Sequence, residues 1–307
     1  MESAREILRS RAADGLTTGG VLRLDEPMAR HTTMRVGGPA DGYFEPAGEE
    51  ELAVMLRFCA ERGVPVFVLG RGSNLLVRDG GIRGLVVCLM AAAFGKIATD
   101  GGQMRCGAGA KLKAIVMEGR RAGLGGIEFL EGIPGSLGGA LRMNAGAMGA
   151  SVFSAVERVR FMNPAGETCE RNAAEIPVEY RRCPLFEKNI ALEASLRTRP
   201  MTREAIDAIL EDYSRRRWQS QPAAPSAGCV FKNPAGVAAG RLIDELGLKG
   251  TRIGGAAVSE KHGNFIVNEG SATAKDVLAL IGKIQERVRL ERGIALETEV
   301  QVVGEEG

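Results

Sequence analysis

The chain has 307 residues, 45% hydrophobic and 25% charged, the balance of a folded globular protein rather than a disordered one. Forty basic against thirty-eight acidic residues leave a net charge of +2, too small to argue for nucleic acid or an anionic membrane as the main partner. The longest nearly apolar run, Leu85 to Phe94, is far too short to span a bilayer, and Met1 to Arg9 lacks the apolar core of a signal peptide, so a soluble cytoplasmic protein is expected.

The predicted elements begin with a short amphipathic helix over Ser3 to Ala13. Glu49 to Arg62 follows, with Leu52, Met55, Leu56 and Cys59 at helical spacing and Gly63 as its stop. Val64 to Leu69 reads as a buried strand that runs into Gly70-Arg71-Gly72-Ser73-Asn74, and Leu75-Leu76-Val77 and Leu85 to Leu89 are further strands. Ala110 to Arg121 has the apolar face Leu112, Ile115 and Val116 of a helix. After a glycine-dense tract come a strand over Val156 to Met162, a hairpin turn at Asn163-Pro164-Ala165-Gly166-Glu167, and a strand over Ile190 to Leu196. Thr202 is placed to cap a helix running to about Arg217, whose last three arginines read as a solvated helix end favoured by the macrodipole. Ala239 to Leu246 is a short helix stopped by Gly247, and Asn264 to Val267 a strand. Thr273 and Asp276 form a capping box opening a helix that ends near Gly293, and an alternating strand over Ile294 to Val303 closes the chain. The expected class is α+β, with lobes at 1–90 and 91–199 and a third domain at 200–307.

The six cysteines form no Cys-x-x-Cys pair and the only histidines are His31 and His262, so no metal site is expected. Cys59, Cys88 and Cys106 lie in apolar surroundings and read as small buried hydrophobes. No G-x-G-x-x-G follows a strand to open a helix, and no Walker A sequence occurs. What stands out is a pair of glycine-rich segments. Gly70 to Leu76 follows a buried strand, where glycines let several backbone N–H groups converge on an anion. Gly132-Ile133-Pro134-Gly135-Ser136-Leu137-Gly138-Gly139-Ala140, with Met143-Asn144-Ala145-Gly146-Ala147 behind it, offers bare backbone to a flat ligand or a diphosphate. Tight turns and close helix packing are the competing reading for each.

Several segments carry a more specific resemblance. His31-Thr32-Thr33-Met34-Arg35-Val36-Gly37-Gly38-Pro39-Ala40, Gly70 to Asn74, Gly132 to Gly146, Tyr180-Arg181-Arg182-Cys183, Ser226 to Pro234, Ser259-Glu260-Lys261-His262-Gly263-Asn264-Phe265 and Leu296-Glu297-Thr298-Glu299-Val300 occur in this order. Together they resemble the UDP-N-acetylenolpyruvoylglucosamine reductase family, in its compact form. The resemblance implies two α+β lobes that hold FAD in the manner of vanillyl-alcohol-oxidase-like flavoproteins, and a C-terminal domain that covers the flavin and binds substrate. It implies non-covalent FAD on Gly70, Arg71, Gly72, Ser73, Asn74 and Leu75 of the first loop and on Gly132, Pro134, Gly135, Gly138, Gly139, Asn144, Ala145 and Gly146 of the second.

The reaction so implied has NADPH reduce the flavin, which passes a hydride from N5 to C3 of UDP-N-acetylglucosamine enolpyruvate; a proton at C2 then completes UDP-N-acetylmuramate. Arg181 matches the residue that grips the substrate carboxylate, which a guanidinium does through two parallel hydrogen bonds. Glu299 matches the family's catalytic glutamate, although spacing alone leaves Glu297 and Glu299 on one face of the expected strand. Cys229 stands in Ser226-Ala227-Gly228-Cys229-Val230-Phe231-Lys232-Asn233-Pro234, where most members of the family have the proton-donating serine. An ordinary thiol titrates at about 8.5, so it is mostly protonated at neutral pH and able to donate. Lys232 and Asn233, with Tyr180, are expected to meet the diphosphate and sugar of the substrate; His262 reads as a structural contact. The alternatives are an FAD-dependent oxidase of the same fold and a non-catalytic UDP-sugar binding protein. A monomer is expected, with no nucleic-acid or membrane partner.

Overall fold

The computed structural model describes residues 2–13 and 19–307. The chain divides into two compact units, both discontinuous in sequence: residues 1–24, 42–71 and 84–217 form the first, and 25–41, 72–83 and 218–307 the second. Each has its own apolar core. Leu52, Leu85, Met104, Leu112, Ile115, Leu137 and Leu141 lie in that of the first, and Leu76, Val230, Phe231, Ile243, Leu280 and Ile284 in that of the second. A fully buried side chain of this kind contributes about 1.5–3 kcal/mol.

In the first unit, the helix Glu49–Arg62 ends where Gly63 adopts a φ of 66°, and the chain turns into the strand Val66–Leu69. That strand pairs in parallel with Ile82–Cys88, within a sheet ordered Val21–Pro27, Pro39–Glu45, Ile82–Cys88, Val66–Leu69. A second sheet has five antiparallel strands, ordered Thr168–Asn172, Val156–Met162, Ile190–Arg197, Gln103–Gly107, Ile97–Asp100. The turn at 163–166 closes its first hairpin as expected, with Asn163 Oδ1 accepting from Ala165 and Glu167 and Gly166 at φ 77°. The helix Leu112–Ala122 stops at Gly123, whose φ is 67°.

The helix Arg203–Ser220 is capped by Thr202 Oγ1 and is bound to the preceding helix through the bidentate Arg120–Asp207 pair. It runs a turn's fraction past the expected Arg217. Its end also differs from expectation. Arg215 and Arg216 pair with Asp212, but Arg217 is half-buried, and burial holds its guanidinium below the usual range against the opposing pull of Glu131. The sequence carries the reason, since Ile206, Leu210, Tyr213 and Arg217 fall on one helical face and the first three pack on the core.

In the second unit a four-stranded antiparallel sheet, ordered Ser226–Cys229, Phe265–Asn268, Ala256–Val258, Arg252–Ile253, carries the long helix Ala274–Arg292. That helix opens on the capping box of Thr273 and Asp276 and closes on Gly293 at φ 66°, as the sequence predicts. Asp79 adds a second cap, its two oxygens accepting from Ala274 N and Lys275 N at 2.9 Å. The closing segment differs from the expected long strand. Only Gln301–Val303 is a strand, parallel to Leu75–Val77, and 294–300 is irregular apart from one bridge between Phe231 and Thr298. Hydrophobic alternation reports which residues face the core, but not whether a neighbour is present to complete a ladder.

Among the described residues no helix is long and apolar enough to cross a membrane, and no cluster of His, Cys, Asp or Glu could hold a metal. Cys59, Cys88 and Cys106 are buried as expected, and desolvation pushes the Cys59 and Cys106 thiols up to about 12.

Candidate active site

In the first unit the two glycine-rich segments meet through bare backbone. A Cβ on Gly70 would lie 2.9 Å from Ser136 Oγ and 3.7 Å from Gly139 Cα. Gly139 itself faces little else, whereas Gly138 is packed on Ala108, whose carbonyl accepts its N–H at 2.8 Å. So the second tract does two jobs: part of it closes the core, and part leaves the surface free of side chains. Gly132 lies under the half-buried Arg217, with a Cβ there 3.1 Å from Arg217 Nη1. Sequence reading missed Arg217 as a neighbour of this loop; its position on the helix's apolar face was the available signal.

Next to the second tract stands Arg181. Glu179 and Arg182 exchange backbone hydrogen bonds of 2.9 and 3.3 Å, leaving Tyr180 and Arg181 as the two-residue tip of a tight turn. Arg181 has φ +58°, a left-handed conformation that costs a non-glycine residue roughly 1 kcal/mol or more. Its guanidinium stacks on the exposed Tyr180 ring at 4.9 Å, and a Cβ on Gly146 would come within 3.1 Å of its Nη1. Asn144, also left-handed at φ +38°, donates from Nδ2 to Glu179 O at 3.0 Å, while its buried Oδ1 has no hydrogen-bond partner in the protein. Arg182 pairs with Glu187 and Glu179, which hold its guanidinium above its usual range.

The first glycine-rich loop crosses from one unit to the other between Arg71 and Gly72. In the second unit Gly72 has φ +61°, and a Cβ there would fall 2.2 Å from His31 O, so no other residue fits. Thr33 ties this loop to the cysteine segment: its N–H donates to Gly72 O at 3.1 Å and its Oγ1 to Ser226 O at 2.7 Å. Cys229 ends its strand opposite Phe265, after a register shift in which Gly228 takes φ +77°. Such a bulge re-aims the side chain that follows it. The closing segment runs alongside, with Val230 O accepting from Glu299 N at 2.7 Å and Lys232 N donating to Glu297 O at 2.9 Å. Cys229 and Glu299 therefore sit on neighbouring stretches of backbone. Glu299 is half-buried, whereas Glu297 is exposed and paired with Lys232 Nζ at 3.1 Å. Asn74 Nδ2 donates to Glu299 O at 3.1 Å. Asn233 is exposed, and its Oδ1 caps the helix Ala239–Glu245 by accepting from Ala239 N at 3.0 Å.

Residues 221–303 match the family model "UDP-N-acetylenolpyruvoylglucosamine reductase, C-terminal domain", and residues 40–171 the model "FAD binding domain". A UDP-N-acetylenolpyruvoylglucosamine reductase of Pelobacter propionicus is 45% identical over 294 residues, covering 95% of this chain and 99% of its own. The chain belongs to the UDP-N-acetylenolpyruvoylglucosamine reductase family. A reductase of the same name from Geobacter metallireducens is 47% identical over 289 residues, or 94% of this chain and 95% of that one. The solved reductase of Thermus caldophilus superposes with a TM-score of 0.81 at 39% identity, covering 93% of this chain and 99% of that one.

The reductase family's α+β fold, with a flavin-binding region ahead of a C-terminal domain, is thereby borne out. The residues present also fit a flavin. Gly70 leaves backbone where a Cβ would crowd Ser136, Gly139 leaves its surface bare, and Asn144 Oδ1 is a buried acceptor that lacks a donor. The tight turn and close packing weighed for these glycines hold at Gly72 and Gly138, and the open surface at Gly139.

Proposed function

We propose that this chain reduces UDP-N-acetylglucosamine enolpyruvate to UDP-N-acetylmuramate, a peptidoglycan precursor, with FAD as non-covalent cofactor and NADPH as reductant. The observation that carries this reading is the end-to-end match to reductases, at 45% identity over 99% of one relative's length. Bound FAD supplies the hydride transfer from NADPH to C3 of the enolpyruvyl group. Gly70, Arg71, Gly72, Ser73, Asn74 and Leu75, with Gly132, Pro134, Gly135, Gly138, Gly139, Asn144, Ala145 and Gly146, form the cofactor surface.

Arg181 binds the substrate carboxylate and takes the negative charge that develops there. Its stack on Tyr180 and its seat on Gly146 restrict the guanidinium before substrate arrives, so less order has to be gained on binding. Glu299 polarises the same carboxylate; its partial burial, against the exposure of Glu297, favours it. Cys229 holds the proton delivered to C2, a role open to a thiol because an ordinary one is mostly protonated at pH 7. Lys232 and Asn233 contact the UDP moiety together with Tyr180. The protein works as a cytoplasmic monomer, with FAD lobes drawn from 1–90 and 91–199 and a substrate domain from 200–307, although 25–41 and 72–83 fold with the latter and 200–217 with the former.

The absorbance spectrum of the purified protein tests the reading. Flavin bands that NADPH bleaches and UDP-N-acetylglucosamine enolpyruvate restores are expected. Bands that oxygen restores but the enolpyruvate does not would indicate a same-fold oxidase. A protein that binds the UDP-sugar without flavin turnover would be a non-catalytic binder. Either result overturns the proposal.

A further inference from the structure

Each glycine-rich loop carries one asparagine whose side-chain amide is spent on the backbone of a segment that presents a reacting residue. In the second unit, Asn74 Nδ2 donates to Glu299 O at 3.1 Å, and Asn74 O accepts from Gln301 N at 3.0 Å. One residue thus bonds the backbone at both ends of Glu299–Gln301, where irregular chain passes into the strand Gln301–Val303, while Val230 O accepts from Glu299 N and Val300 N. In the first unit, Asn144 Nδ2 donates to Glu179 O at 3.0 Å, the first residue of the turn whose tip is Arg181. That turn needs holding, because Arg181 sits in a left-handed conformation that an unrestrained arginine avoids.

We infer that Asn74 and Asn144 are positioning residues, which fix Glu299 and Arg181 against the loops that bind the cofactor. The inference rests on the proposed reductase reading and adds roles to residues expected only to touch FAD. An asparagine amide suits the task because it offers a donor to one partner and an acceptor to another. Asn144 leaves its buried Oδ1 unpartnered, so the residue that holds the Arg181 turn also presents an acceptor to a bound group. The coupling is chemically specific: it needs the N–H, which aspartate and alanine lack.

The full-length Asn74→Asp and Asn74→Ala variants, with Asn144→Ala in the other unit, test this by three readouts. FAD affinity is read from flavin fluorescence, flavin reduction by NADPH and reoxidation by UDP-N-acetylglucosamine enolpyruvate from single turnovers, and backbone protection at 296–301 from hydrogen exchange. The Asn74 variants are compared at saturating FAD, so that any loss of cofactor affinity is separated from the chemistry, and we expect reoxidation to be slowed well beyond any change in reduction by NADPH. Reoxidation should slow by about 10- to 100-fold, the scale of a misplacement of about 1 Å. Exchange at 296–301 should rise about tenfold. A merely structural defect would slow both half-reactions together. A cofactor-only role would weaken FAD affinity more than about tenfold, leaving reoxidation of the saturated enzyme and exchange unchanged. Either pattern overturns the inference, as does a variant indistinguishable from wild type. If an Asn74 variant fails to melt cooperatively, Asn144→Ala, compared at saturating FAD, decides by whether reoxidation slows more than reduction. Wild-type protein that the enolpyruvate does not reoxidise defeats the reductase reading instead, and exchange at 296–301 alone then judges whether Asn74 holds the segment.

Discussion

Cys229 occupies a position where a serine would be the expected proton donor, and the difference has measurable consequences. Both side chains can donate a proton, so Cys229→Ser is expected to keep turnover within about tenfold, whereas Cys229→Ala should lose about 100-fold or more, the usual worth of a placed general acid. Only a thiol climbs the oxidation ladder to sulfenic acid, so peroxide should inhibit the wild type and spare Cys229→Ser. An alanine variant that turns over at the wild-type rate, with deuterium still entering C2 from solvent, would remove Cys229 from the reaction. The residue itself was legible in the sequence because the nonapeptide around it is so specific. Its setting was not. Gly228 at φ +77° and the register shift opposite Phe265 depend on how two distant strands pair, and no local pattern encodes that pairing. Arg217 is the converse case, a residue misread as solvated because the charge run Arg215-Arg216-Arg217 masked the helical face it shares with Tyr213.

Among the elements, the turn over Ser259–Phe265 is held around one histidine. His262 Nδ1 accepts the Asn264 N–H at 3.1 Å, its O accepts from Phe265 N at 3.0 Å, and its ring stands at 4.8 Å on the Phe265 ring, packed against Gly240 of the short helix. Burial, aided by the charge of Lys249, holds the imidazole below its usual range, so the folded protein keeps it neutral. The unfolded chain binds the proton more readily, with a pKa of about 6.5. Stability is therefore expected to be full above that value and to fall as the pH drops from it toward the lower folded-state value. Melting curves between pH 5 and 8 should show a steeper acid-side loss for wild type than for His262→Gln; equal slopes would refute the assignment. Helix ends were the best-read features of the sequence, because Gly63, Gly293 and the Thr273–Asp276 box act through neighbours a few residues away. The expected strand over 294–303 was the poorest, because residues 294–300 lack the partner that would make one.

For the whole molecule, bound FAD joins the stability balance. A ligand at about 100 times its dissociation constant, bound only by the folded state, adds about 2.7 kcal/mol. For a chain of this size that corresponds to several degrees, so removing FAD should lower the melting temperature by about that much, and adding it back should restore it. No shift on adding FAD to the apoprotein would argue against a built flavin site. The sequence by itself determined the α+β class, the flavin and the reductase family, and it supplied Arg181, Cys229 and Glu299 as the proposed reacting residues, because each is written in a short contiguous segment. Only the tertiary structure decided how those segments are held. It folded residues 25–41 and 72–83 into the C-terminal unit, gave Asn74 to Glu299 and Asn144 to the Arg181 turn, and paired Glu297 with Lys232. Those are hydrogen bonds and ion pairs between residues 35 to 225 positions apart, and separations of that kind are fixed by the packing of the fold rather than by any local pattern.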